Sequence, residues 1–143
     1  MLSSKAFLAF VIGFVMFIIV VLPELIENGG ILIFDSDNRT QGIPFTYHIR
    51  NSILSGNVVW DHSAGLGSQF LTNYAYYNLF SPFSLLYLVI PEGAIIYALP
   101  YVTALKFGVG SMLAYLYIKR FVKNEHFAVI GGLLYMFSSF TAY

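Results

Sequence analysis

The chain has no cysteine among its 143 residues, which excludes a disulfide framework and a thiolate metal site alike. It is also short of charge. Asp, Glu, Lys and Arg make up 10% of it, against about 25% in soluble domains. Seven basic and seven acidic side chains cancel to zero formal charge, and no nucleic-acid partner is expected. What is present instead is apolar: hydrophobic residues reach 58%, aromatics 18%, and mean hydropathy is +0.75. That balance describes an integral membrane protein. At this length it can hold about three spans and no large soluble core.

The apolar segments fall in order. Residues 6–26 form a first span, with Ala6 to Leu22 uninterrupted and Lys5 ahead of it. The run is longer than the apolar region of a signal peptide, and Pro23-Glu24 follows where small residues would mark cleavage. Residues 27–93 form a long connection. In it, Pro44 suits a first helical turn, and Phe45, Ile49 and Ile53 recur at a spacing of four before Gly56. This predicts an amphipathic helix of about three turns, lying in the membrane interface or packed on other spans. Trp60 to Ser68 reads as a polar loop with glycines, and Tyr74, Tyr76, Tyr77 and Phe80 as an aromatic belt. Phe83 to Ile90 is apolar but too short to span, which suits an interfacial segment.

A second span covers 94–118, with Lys106 inside it and Gly110 and Ala114 offering a small face to a neighbouring helix. A basic loop at 119–126 holds Lys119, Arg120 and Lys123, and 127–143 begins a third span that stops incomplete. The expected fold class is therefore all-α and integral to the membrane. A single membrane domain over 1–143 carries transmembrane helices and a long outer loop with interfacial helices. Lys and Arg near the span ends place the N-terminus and the basic loop in the cytoplasm, and the long loop outside.

The charge in that loop gathers at Asp35-Ser36-Asp37-Asn38-Arg39-Thr40-Gln41, just beyond the first span. Two carboxylates and a guanidinium are costly in lipid and easily placed in water at the mouth of a span. The run Asp37-Asn-Arg-Thr-Gln41 is followed by Pro44-Phe45, Gly56, Trp60 and Ala64-Gly65-Leu66-Gly67. Tyr76-Tyr77, Ser81-Pro82-Phe83, Leu105-Lys106, Gly132-Leu133-Leu134-Tyr135 and Ser138 come after them in order. Together these resemble the YfhO family of bacterial multi-pass membrane proteins, from the first span to the end of the chain.

The resemblance implies a place in the GT-C superfamily of membrane glycosyltransferases. Such enzymes move a sugar from a polyprenyl-phosphate donor to an acceptor on the outer face, for this family a glycopolymer such as teichoic acid. Its members are several times longer, so the chain is expected to be an N-terminal fragment. The family's catalytic Asp stands four residues before the Gln, which here is Asp37, with Asp35 as runner-up. A carboxylate there would take the acceptor hydroxyl proton in an inverting transfer. Arg39, Gln41 and Arg50 are the substrate-binding candidates, the arginines because a phosphate leaving group needs positive charge. Asp37 and Asp35 are also the carboxylates that could hold a divalent cation, Mg or Mn.

Each residue also has a plainer use. Asp37 is a good helix cap, and Arg39 and Arg50 are ordinary interfacial anchors. His48 and His62 could pass protons or serve structure alone. The tyrosines could stack on a sugar or mark the headgroup level, and Lys106 could be functional or snorkel from a helix end. The alternative functions are a non-catalytic binding or transport subunit and an inert truncated relic.

Overall fold

The computed structural model describes residues 4–33, 38–64 and 66–138. The chain gathers into two compact units, Met1–Gly30 with Pro100–Tyr143, and Ile31–Leu99. We call them the span unit and the loop unit. One domain over 1–143 is expected from the sequence; two units form because the long connection carries a core of its own.

The span unit begins with helix α1, Ser4–Glu27. Its buried residues are Ala6, Ala9, Gly13, Phe17, Val21 and Leu25, a stripe at the three-to-four spacing of one helix face. Pro23 falls in the last turns, and Asn28 closes the helix by donating from its amide to the Glu24 carbonyl at 3.0 Å and carboxylate at 2.8 Å. Helix α5, Ile95–Ile118, contains Pro100 and passes at that residue from the loop unit into the span unit. Both α1 and the stretch Glu92–Ile118 are long and apolar enough to cross a membrane.

Helix α6, Glu125–Met136, is capped by the Asn124 side chain, which accepts from the His126 N–H at 3.0 Å. Its described length is about 18 Å at the usual rise, short of the ~30 Å of a bilayer core. Residues 139–143, where the expected third span would continue, lie outside the described residues.

Small residues let these helices close on one another. Ala6, Ala9, Tyr115, Ala128 and Val129 form a buried cluster drawn from α1, α5 and α6. A Cβ at Gly132 would stand 2.7 Å from the Ser111 carbonyl oxygen, and one at Gly13 would stand 2.5 Å from Ser111 Oγ. Only glycine permits backbones this close. Gly110, on the face expected to receive a neighbour, lies against the Met136 side chain. Lys5 Nζ approaches His126 Nε2 at 3.4 Å, so the N-terminus and the basic loop occupy one end of the unit. Lys106 is exposed near the middle of α5, not near an end where snorkelling is short.

The loop unit contains helix α2, Ile43–Ser55, with proline in its first turn and Gly56 ending it at φ 75°. A glycine at that left-handed position is the usual way to stop a helix. Strands β1, Trp60–Asp61, and β2, Ser68–Gln69, pair antiparallel, Trp60 opposite Gln69 and Asp61 opposite Ser68. The expected polar loop is therefore a small hairpin, and the described fold is helical with this one ribbon. Short helices α3, Phe70–Tyr74, and α4, Ser84–Val89, follow. Single π-helical turns cover Asn38–Gly42 and Ala75–Leu79.

The Phe45, Ile49, Ile53 stripe of α2 is taken up inside the unit. Ile49 is buried with Phe70 and Tyr74, and Phe45, Ile53 and Leu79 pack around them. Burying each large apolar side chain contributes about 1.5–3 kcal/mol, enough to fold α2 onto α3 rather than leave its stripe to lipid. The expected aromatic belt divides accordingly. Tyr74 is buried and Tyr77 half-buried, whereas Tyr76 and Phe80 are exposed.

Candidate functional site

The polar side chains of the loop unit converge on Asp61. Its position follows from the hairpin: side chains alternate across a strand, so Trp60 faces out and Asp61 turns in, where it is only 3% exposed. A carboxylate that deep must be fully hydrogen-bonded or lose its charge. Asp61 Oδ1 accepts from the Ser63 N–H at 2.9 Å and the Ser63 hydroxyl at 2.6 Å. Oδ2 accepts from the Tyr74 hydroxyl at 3.0 Å and lies 2.6 Å from His48 Nε2. Ring contacts hold the imidazole as well, with His48 and Tyr74 centroids 5.1 Å apart.

Burial opposes the charge on Asp61, but the bonds from Ser63, Tyr74 and His48 outweigh it and hold the carboxyl well below the usual carboxylate range. The same contact acts oppositely on its partner. Burial, and then the neighbouring carboxylate, push the Tyr74 phenol up to about 12. An ionised Asp61 beside a neutral Tyr74 is a stable state near neutral pH. Because a carboxylate can only accept, the proton in the His48 contact belongs on Nε2.

This network ties α2, the hairpin and α3 together from residues 13 positions apart on either side of Asp61. The sequence puts Asp61 in a polar loop, next to His62. No periodicity marks its true partners, because hairpin closure brings them together. His62 itself is exposed.

The predicted site residues fare differently. Asp35 and Asp37 lie outside the described residues. Arg39 is exposed on the Asn38–Gly42 turn. Gln41 is anchored, its Oε1 accepting from the Tyr77 hydroxyl at 2.8 Å. The turn is also tied to α2, since the Thr46 hydroxyl donates to the Gly42 carbonyl at 2.8 Å.

Arg50 has a structural task. Nε donates to the Tyr87 carbonyl at 2.9 Å and Nη2 to the Ile90 carbonyl at 3.0 Å, capping the end of α4. Its Nη1 donates to Asn51 Oδ1 at 3.1 Å, and Asn51 in turn donates to Glu92 at 3.2 Å. Carbonyls at a helix end need such donors, so much of this guanidinium is committed. Among the described residues no three His, Asp or Glu gather as metal ligands. The Asp35 and Asp37 pair considered for a divalent cation lies outside them.

Two apolar helices of spanning length, with a folded unit between them in sequence, suit a helical membrane protein. Sequence comparison sharpens that class: the model of the family described as bacterial membrane protein YfhO matches residues 8–143, and the chain belongs to that family. No curated protein and no solved structure matches it.

Proposed function

We propose that the chain is part of a membrane glycosyltransferase of the GT-C type. It would move a sugar from a polyprenyl-phosphate donor to an extracellular cell-envelope acceptor such as teichoic acid. The observation that carries this reading is the pinned turn Asn38–Gly42. It is fastened through Gln41 to Tyr77 and through Gly42 to Thr46, and Asp37 is the residue immediately before it in sequence. A base must be held to a defined geometry, and the turn that follows Asp37 in sequence is itself fastened at two points. Membership of the YfhO family over nearly the whole chain supports the same reading.

In this scheme Asp37 takes the proton as the acceptor O–H bond breaks, and that oxygen forms a bond to the anomeric carbon. The bond from that carbon to the phosphate oxygen breaks, its electron pair leaving on the polyprenyl phosphate, and the configuration inverts. Arg39, exposed on the turn, and Arg50 are the guanidinium candidates for the phosphate. The clustering of Lys5 with the basic loop at one end of the span unit supports a cytoplasmic N-terminus and an outer loop unit.

Replacing Asp37 by Asn in the full-length protein is expected to lower transfer about 10²–10⁴-fold, the usual range for a general base, with membrane insertion unchanged. Transfer at the wild-type rate would remove Asp37 from this role. The competing reading is a non-catalytic binding or transport subunit whose outer loop only binds; the same assay separates the two.

A further inference from the structure

We propose that the exposed apolar side chains at the β1–β2 hairpin, Val58, Val59, Trp60 and Leu66, form a lipid-anchoring surface seated at the headgroup level of the bilayer. The hairpin has two faces. Asp61 turns into the network of the loop unit, while Val59 is 74% exposed, Trp60 48% and Leu66, at the hairpin tip, completely exposed. The indole is braced: a Cβ at Gly67 would stand 3.0 Å from Trp60 Nε1 and 3.4 Å from the ring carbons. Gly67, at φ +97°, thus lets the hairpin backbone come close to the ring, which stays about half exposed. Among the described residues Trp60 Nε1 has no hydrogen-bond acceptor.

Charge decides what covers this surface. Between Arg50 and Glu92 the sequence holds one formally charged residue, Asp61, and that one is buried. A surface facing bulk water normally carries about 25–35% charged residues, so a stretch exposing Val59, Trp60, Leu66, Tyr76 and Phe80 without any is made for a less polar medium. Val58, Val59 and Leu66 supply exposed apolar area near the indole, and the exposed polar side chain opposite Trp60 is the uncharged Gln69. Lipid is also within reach by construction, since the loop unit continues at both ends into helices long and apolar enough to cross a membrane. Tryptophan suits that boundary, with an apolar body for the acyl chains and an N–H for ester or phosphate oxygens. The inference rests on the membrane class of the protein and not on the glycosyltransferase reading.

Trp60 is the one tryptophan in the 143-residue chain, so its emission reports this site alone. The chain would be reconstituted into phosphatidylcholine vesicles whose acyl chains carry bromine either near the headgroup or near the methyl end. An anchored Trp60 sits about 5–10 Å below the surface, so shallow bromine should remove about half of the emission and deep bromine clearly less. Soluble acrylamide should quench weakly. Quenching by acrylamide as for free tryptophan, with no effect of either lipid, would overturn the proposal. So would stronger quenching by deep bromine, which would place the ring in the bilayer core. A double variant, Val59→Ser with Leu66→Ser, removes two exposed side chains and should shift quenching from the shallow bromine toward acrylamide. Unchanged quenching in a variant of wild-type helicity would also count against the hairpin surface as the anchor.

Discussion

Among the described residues Asp61 and Ser111 are the most deeply buried of the polar side chains Ser52, Asp61 and Ser111 in their respective units, and the two units treat them oppositely. In the loop unit, four donors from three side chains and one backbone N–H converge on the Asp61 carboxylate. In the span unit, Ser111 Oγ is buried with no hydrogen-bond partner among the described residues. The rest of that unit is built from Ala, Gly and rings, such as Phe17 on Phe107 at 4.7 Å and Phe107 on Phe137 at 5.0 Å. One unit is held by a polar centre that an apolar layer surrounds, and the other by backbone proximity in which a polar group is a flaw. The difference predicts that deleting a buried polar atom has opposite signs in the two units.

The largest effect is expected from Asp61→Ala. Removing the acceptor leaves the His48 N–H, the Tyr74 hydroxyl and the Ser63 donors without a partner. Breaking a buried charged contact from one side costs about 3 kcal/mol or more. Hydrogen exchange should therefore speed up at the amides of α2 and α3, while α1 and α5 from Pro100 onward keep their protection. Equal acceleration in both units would mean that they do not differ in this way. No acceleration at all would mean that the network is ornamental to the fold.

The pH dependence of the same amides sharpens the point without a deletion. Asp61 is depressed in the folded state below its ordinary value of 3.8. Its stabilisation is therefore in place above that pH and is lost as the pH falls below it, where the unfolded chain binds the extra proton. Tyr74 is raised from 10.0 to about 12, so its contribution is complete below pH 10.0 and is lost as the pH climbs through the raised value. Protection of α2 and α3 should be flat between these limits and fall outside them. Asp61→Asn should lose the acid limb; if the limb persists in that variant, another carboxylate carries it.

Much of the chain's plan was legible because it is written in runs and periods. The apolar stretches give α1 and α5, and the spacing of Phe45, Ile49 and Ile53 with Gly56 beyond them gives α2. The partner of that stripe was not legible. Phe70 and Tyr74 come from segments that look like a loop end and a belt, and only the closed hairpin presents them. Arg50 shows the same limit: its acceptors at Tyr87 and Ile90 are 37 and 40 residues away, and no local pattern distinguishes a capping arginine from a phosphate ligand. Asp35 and Asp37 were singled out by charge in an uncharged chain, and their assignment still rests on that and on the family resemblance.

The smallest effect, and the one of opposite sign, belongs to Ser111→Ala. A serine within a helix commonly bonds the carbonyl one turn back, which here is Phe107. That carbonyl instead faces Gly13, where a Cβ would stand 3.0 Å from it. The Ser111 hydroxyl is thus pressed against α1 at Gly13 and makes no hydrogen bond among the described residues. Alanine removes the orphaned oxygen, keeps the small volume that Gly13 and Gly132 require, and improves helix propensity slightly. A gain of about 1 kcal/mol is expected, read as a higher thermal midpoint for loss of helicity in detergent. Ser111→Val should do the reverse, because a branched side chain has no room beside Gly13. If alanine were instead to destabilise the protein, the hydroxyl would have an acceptor when the helices are in lipid. The span unit would then be held, like the loop unit, by a satisfied polar contact, and the contrast between the two would be lost.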